Sequence, residues 1–275
     1  MKLGIFDSGL GGLLVAKSIH KTMPDVEILY FGDTMNLPYG NKSSETIYEL
    51  SKRSIEFLFE QDCALIITAC NTISASSLRR LQQEYLPNSK YADRRILGVV
   101  VPTLEYAIDQ DCSRLGVIGT NYTIKSNIYK SELQKLNPDM QIFQVNTPLL
   151  VPLIENEGMK WLPSVLEDYL APLIKEDIEC LILGCTHYPF LRNIIQDITK
   201  GKVNVIGQDK IIPSKLMDYF KRHPEIENKI TKSRSIDFLV SDITDGYRSA
   251  AQKIYEQDII IEHVSFNKNT YKRAS

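Results

Sequence analysis

"LIITACNTISAS", residues 65–76, passes from an unbroken apolar run into small hydrogen-bonding side chains, with Cys70 at the change. A short β-branched run of this kind suits a strand buried on both faces, and the residues after it suit the start of a helix. "LILGCTHYPF", residues 181–190, repeats the arrangement with Cys185 in the same place. Two thiols, each at the end of a buried strand and each followed by polar groups, predict one site built from two parts of the chain.

Working outward, the same alternation continues. "LGIF", "EILYFG", "ALIITA", "ILGVVV", "RLGVIG", "QIFQV", "CLILG", "VNVIG", "SIDFLVS" and "IIIEHV" read as strands, and segments 43–61, 73–86, 121–137, 161–176, 190–200 and 245–256 carry helical spacing. Strands alternating with helices predict an α/β protein with mainly parallel sheets. In open parallel sheets the ligand crevice lies beyond the carboxyl ends of the strands. The polar segments fall there: "FDSGLGG" after the first strand, "GDTMNLPYG" after the second, "ACNT" after the third, "GTNYT" after the fifth and "GCTHYP" after the seventh.

The chain has 275 residues, enough for two domains. A boundary is expected near residues 97–102, with a return crossing near "VIGQD", residues 205–209. The expected division is a discontinuous first domain, 1–98 with 208–275, and a second domain, 99–207. The last segment, "FNKNTYKRAS", is polar and basic without periodicity and is expected to be a mobile tail.

Hydrophobic residues make up 43% and charged residues 24%, which is ordinary for a folded globular chain. A net charge of -2 gives no basic field for phosphate backbones, so nucleic acid is not an expected partner. No apolar run reaches bilayer length and no signal-peptide core develops at the N-terminus, so the expected location is the cytoplasm and no membrane partner is expected. The five cysteines are expected to be free thiols there, with Cys63, Cys112 and Cys180 as small buried hydrophobes.

Several motifs are excluded by their spacing. "GLGGLL", residues 9–14, has Leu14 where a dinucleotide-binding turn needs a third glycine. It is read as a tight strand-to-helix turn whose backbone N–H groups could face an anion. "FDSGL" has Phe6 in place of the first glycine of a nucleophile elbow, which argues against a serine hydrolase, and no P-loop occurs. Cys180, Cys185 and His187 do not make a zinc site by spacing, because a strand turns successive side chains to opposite faces; no metal is expected.

That leaves Cys70 and Cys185. Helix N–H dipoles near a strand end lower a thiol pKa toward neutrality, and a nearby imidazole or carboxylate can exchange protons with it. The chemistry that calls for two equivalent acid/base groups on opposite sides of one site is inversion at a carbon. One thiolate removes the Cα proton from one face, and the other thiol delivers a proton to the opposite face. Asp7 and His187 are the candidates to tune the pair.

At this point the residues resemble a family. "GIFDSGLGG", "YFGDTMNLPYGNKS", "ITACNTISA", "LLVPLIE" and "LILGCTHYPFL" occur in the order found in glutamate racemases, the cofactor-independent racemases of bacterial cell-wall synthesis. The resemblance implies interconversion of L- and D-glutamate, without pyridoxal phosphate or any other cofactor, at a site between two facing α/β domains. It implies Cys70 and Cys185 as the opposed acid/base pair, Asp7 and His187 as assisting groups, and Glu155 as a further carboxylate on the Cys185 side. Ser8, Pro38, Tyr39, Gly40, Asn71, Thr72, Thr120 and Thr186 would hold the ammonium and carboxylates of the substrate. It also implies a homodimer, with a cell-wall precursor as candidate activator.

Three places depart from the family pattern: Val101 where an acidic residue commonly precedes the proline, Asn146 and Thr147 in place of a cysteine-proline step, and Gln208 within "VIGQD" in place of an aspartate-serine segment. Alternatives are a racemase of aspartate or another amino acid, or a non-catalytic anion-binding protein on the same fold.

Overall fold

The computed structural model describes residues 1–156, 158–267 and 270–273. Its strands in chain order are β1 (Lys2–Asp7), β2 (Ile28–Gly32), β3 (Cys63–Thr68), β4 (Arg95–Gly98), β5 (Arg114–Gly119), β6 (Gln141–Asn146), β7 (Cys180–Gly184), β8 (Asn204–Ile206), β9 (Ile236–Val240), β10 (Ile261–Asn267) and β11 (Thr270–Arg273). They form a seven-stranded sheet of order β11-β10-β9-β2-β1-β3-β4 and a four-stranded sheet of order β6-β5-β7-β8. Every pairing is parallel except that of β10 with β11.

Both sheets are covered on both faces, which is why the strands read as continuous apolar runs. Along β1 to β3, Leu3, Ile5, Ile28, Tyr30, Leu65 and Ile67 enter one apolar cluster, while Phe6, Leu29, Phe31 and Ile66 enter another on the opposite face. In β7, Leu181 and Leu183 point into one cluster and Cys180 and Ile182 into the other. The two-residue period of a strand produces this division directly.

The strand order places the site. In the larger sheet β2 lies on one side of β1 and β3 on the other; in the smaller sheet β6 and β7 flank β5 in the same way. Each reversal opens a crevice beyond the strand ends, at a topological switch point. Residues just past β1 and β3 are Ser8 and Cys70; just past β5 and β7 they are Thr120 and Cys185. The two switch points face each other across one cleft.

The structure departs from the sequence reading in four places. "ILGVVV" is a strand only to Gly98, and Val100–Ile108 is a helix. An apolar run does not by itself separate the two states. Segment 73–86 is helical but interrupted, made of the ends of Asn71–Ser76, Leu78–Arg80 and a π-helical stretch at Leu81–Tyr85. Within the expected tail, β10 extends to Asn267 and pairs with β11, so the chain adds to the sheet edge there; residues 268, 269, 274 and 275 lie outside the described residues. Cys112 and Cys180 are paired as a disulfide, with Cα atoms 6.2 Å apart, because Cys112 leads into β5 and Cys180 opens the adjacent β7. Cys63, Cys70 and Cys185 are free and buried.

Candidate active site

A narrow cleft of about 60 Å³ lies between the two switch points, and both Cys70 and Cys185 line it. Ser8, Asn71 and Thr72 join it from the β1 and β3 ends, Thr120, Thr186 and His187 from the β5 and β7 ends, and Pro38, Tyr39 and Gly40 from the loop after β2. Of the residues expected at the site, Asp7 and Glu155 stand behind this lining. A cleft of this size suits a small molecule.

Asp7 is fully buried at the end of β1. Its Oδ2 accepts the backbone N–H groups of Gly9 and Gly12, each at 3.0 Å, and its Oδ1 accepts the Thr186 hydroxyl at 3.4 Å. The glycine turn therefore does face an anion, but the anion is the chain's own carboxylate. Burial raises the Asp7 pKa above the ordinary carboxylate value, opposed by the charge of His187 and by these hydrogen bonds.

The Cys70 Sγ lies 3.5 Å from the Ser8 hydroxyl. Burial, with the Asp7 charge adding to it, pushes this thiol up to about 12. This corrects the expectation that helix dipoles would bring it near neutrality. Cys70 sits before a single short helix, Asn71–Ser76, and in a dry site next to a carboxylate the desolvation of a thiolate outweighs those dipoles. In the ligand-free protein Cys70 is a thiol.

The Cys185 side is built differently. His187 Nδ1 lies 3.8 Å from Cys185 Sγ, and Nε2 lies 2.9 Å from Glu155 Oε1, close enough for an ion pair although not aligned as a hydrogen bond. Burial alone would lower the imidazole pKa, but Cys185 and Glu155 outweigh it and raise it to about 10. His187 is thus an imidazolium at neutral pH, held between a sulfur and a carboxylate.

Close contacts join the two halves. A Cβ on Gly11 would come within 2.5 Å of the Thr186 backbone, and one on Gly40 within 2.7 Å of Thr120 Cβ. The hydroxyls of Thr72 and Thr120 are 3.1 Å apart, and those of Thr72 and Thr123 3.4 Å apart. Thr147, Val151 and Pro152 are among the further lining residues that sequence reasoning missed. Thr147 had stood out only as a departure, yet its hydroxyl lies 2.6 Å from that of Tyr188 and packs under the cleft. Asn146 does not line the cleft, but its amide donates at 2.8 Å to Asn121 Oδ1, and Asn121 does line it. Val101 is exposed and does not line the cleft.

Two parallel α/β units contributing one thiol each to a shared cleft define a class of protein, the amino-acid racemases that work with paired cysteines. The chain belongs to the Asp/Glu/Hydantoin racemase family, whose model matches residues 14–208. Among its relatives are the glutamate racemases of Chlorobaculum parvum, 36% identical over 250 residues covering 90% of this chain and 89% of that one, and of Persephonella marina, 34% identical over 98% of both. The crystal structure of Francisella tularensis glutamate racemase in complex with D-glutamate superimposes with a TM-score of 0.85 at 30% identity, covering 96% of this chain and 97% of that one.

Proposed function

We propose that this protein is a glutamate racemase that interconverts L- and D-glutamate by two-thiol proton transfer at Cα, without a cofactor, and so supplies D-glutamate for peptidoglycan. The observation that carries the reading is the placement of Cys70 and Cys185 in one narrow cleft, each delivered by a different sheet. The sequence and structural relatives support glutamate as the substrate.

In each direction one sulfur takes the Cα proton, the electron pair passes into the adjacent carboxylate as the carbon flattens, and the other sulfur donates its proton to the opposite face. One proton leaves and one arrives. The enzyme ends with its two sulfurs in exchanged protonation states, so the product form is the reactant form for the reverse reaction. Asp7 assists on the Cys70 side, where its charge disfavours the thiolate and favours the S–H form as proton donor. His187, held by Glu155, assists on the Cys185 side as a cation beside the sulfur. Ser8, Thr72, Thr120 and Thr186, with the loop Pro38–Gly40, hold the substrate's charged ends through hydroxyls and backbone amides.

The proposal extends to the division of the chain, 1–98 with 208–275 against 99–207, to a cytoplasmic homodimer, and to activation by a cell-wall precursor. No helix among the described residues is long and apolar enough to cross a membrane. Sedimentation of the purified protein tests the dimer, and rates with and without a muramyl nucleotide test the activation.

The deciding experiment incubates the protein with L-glutamate and, separately, D-glutamate in D2O. Deuterium entering Cα and optical rotation decaying to zero from both sides are the expected results. An inert Cα for both enantiomers would overturn the assignment.

A further inference from the structure

Three buried side chains meet behind Cys70, and they come from three distant parts of the chain. Asn71 follows the cysteine, Tyr129 lies in the helix Ile128–Leu136 packed on the four-stranded sheet, and Gln208 opens the helix Gln208–Arg222. The Tyr129 hydroxyl donates to Asn71 Oδ1 at 2.6 Å. Gln208 Nε2 donates to Asn71 Oδ1 at 3.3 Å and to the Tyr129 oxygen at 3.2 Å. All three residues are at most 1% exposed.

Gln208 Oε1 is itself buried without a partner among the described residues, so only a concerted turn of both amides would reverse the Asn71 carboxamide, whose Oδ1 here accepts two hydrogen bonds. Its other end, Nδ2, is buried with no partner among the described residues, and Asn71 lines the cleft. A buried donor left unmade is costly, so it needs an acceptor from elsewhere. An N–H2 group cannot serve an ammonium. Of the groups on glutamate, only a carboxylate oxygen can accept from it.

We propose that Tyr129 and Gln208 are positioning residues that lock the Asn71 amide with its N–H2 toward a substrate carboxylate. The inference rests on the racemase reading for the identity of the ligand. It adds that the orientation is imposed by a tyrosine of the other α/β unit and by a glutamine at the return crossing. The Tyr129 ring also reaches Gly184, the residue before Cys185, where a Cβ would meet its Cε2 at 3.5 Å. Tyr129 therefore bonds to the residue after Cys70 and lies beside the residue before Cys185. An apposition of the two units that moved Tyr129 would release the amide and weaken substrate binding together.

The test measures glutamate binding by calorimetry and turnover by circular dichroism for Tyr129→Phe, Gln208→Met, Asn71→Ala and Asn71→Asp, with thermal unfolding to confirm that each variant folds. Tyr129→Phe is expected to raise Kd and KM for both enantiomers roughly tenfold, the scale of a hydrogen bond to a charged group, with kcat changed much less. Gln208→Met should act in the same direction and keeps the test alive if one variant does not fold. Added to Asn71→Ala, the Tyr129→Phe change should have less than about a twofold further effect, because its action passes through the amide. An equal loss in both backgrounds would mean general structural damage and would overturn the proposal.

Asn71→Asp decides the polarity. It retains the acceptor for Tyr129 but presents a second oxygen to the carboxylate, so Kd should rise well beyond that of Tyr129→Phe. Binding as tight as wild type would mean that the amide is reversed and faces the ammonium, which also overturns the proposal. Wild-type protein that binds glutamate without exchanging Cα would sink racemisation while leaving these binding arms decisive. Protein that binds neither enantiomer would sink both.

Discussion

Glu155 Oε1 stands 2.9 Å from His187 Nε2, on the side of the imidazole opposite Cys185, and the carboxylate is part of what keeps this buried ring protonated. Replacing the carboxylate by an amide removes a charge without removing much volume. In Glu155→Gln, the His187 pKa should fall from about 10 toward the ordinary histidine range. The alkaline limb of the rate profile should move to lower pH, and kcat/KM at neutral pH should fall roughly 10- to 100-fold. Because L- and D-glutamate have equal free energy, kcat/KM must fall by the same factor in both directions. Rate profiles from each enantiomer check both statements.

Stability follows the same group with a definite sign. The His187 pKa is raised in the folded protein from 6.5 to about 10, so the fold binds this proton more tightly than the unfolded chain does. Its contribution is fully present below pH 6.5 and is lost as pH rises toward 10. Thermal unfolding should show Tm declining between pH 6.5 and about 10, and His187→Asn should flatten that slope. A slope of wild-type steepness in the variant would assign the decline to other groups.

The sequence made the cysteines and their strand ends legible because burial on both faces leaves an apolar run that a thiol visibly interrupts. Asp7 and His187 were legible for the same reason, each lying within three residues of a strand end. What it could not show was convergence between distant segments. Gln208 meets Tyr129 across 79 residues and Asn71 across 137, and neither partner carries a local pattern that names the other. The helix Gln208–Arg222 was passed over as well, while Gly12–Thr22 was foreseen only as the helix that the glycine turn leads into. Gln208–Arg222 carries Pro213 inside it, and a proline there reads in a sequence as a helix breaker. The ionisation of Cys70 was misread because local helix dipoles are visible in a sequence and burial beside Asp7 is not.

The raised Cys70 thiol predicts low reactivity in the ligand-free protein. With its pKa pushed up to about 12, only a minute fraction is thiolate near neutrality. Iodoacetamide at pH 8 should label Cys70 far more slowly than it labels free cysteine, as peptide mass mapping would show. Asp7→Asn removes the neighbouring charge and should speed this labelling. Rapid wild-type labelling would mean that the thiolate is stabilised in a way that burial and Asp7 do not allow.

Deleting one sulfur separates the two half-reactions. Cys70→Ala and Cys185→Ala should each abolish racemisation, by roughly a factor of 10³ or more, since each removes the sulfur that transfers the proton on one face. The remaining sulfur still faces one side of Cα. In D2O, each variant should therefore exchange the Cα proton of one enantiomer slowly with retention, the two variants acting on opposite enantiomers. Proton NMR resolves the exchange, and circular dichroism verifies that rotation is unchanged. If either variant racemised at the wild-type rate, two thiols would not be the two bases. If both exchanged the same enantiomer, Cys70 and Cys185 would not stand on opposite faces of the substrate carbon.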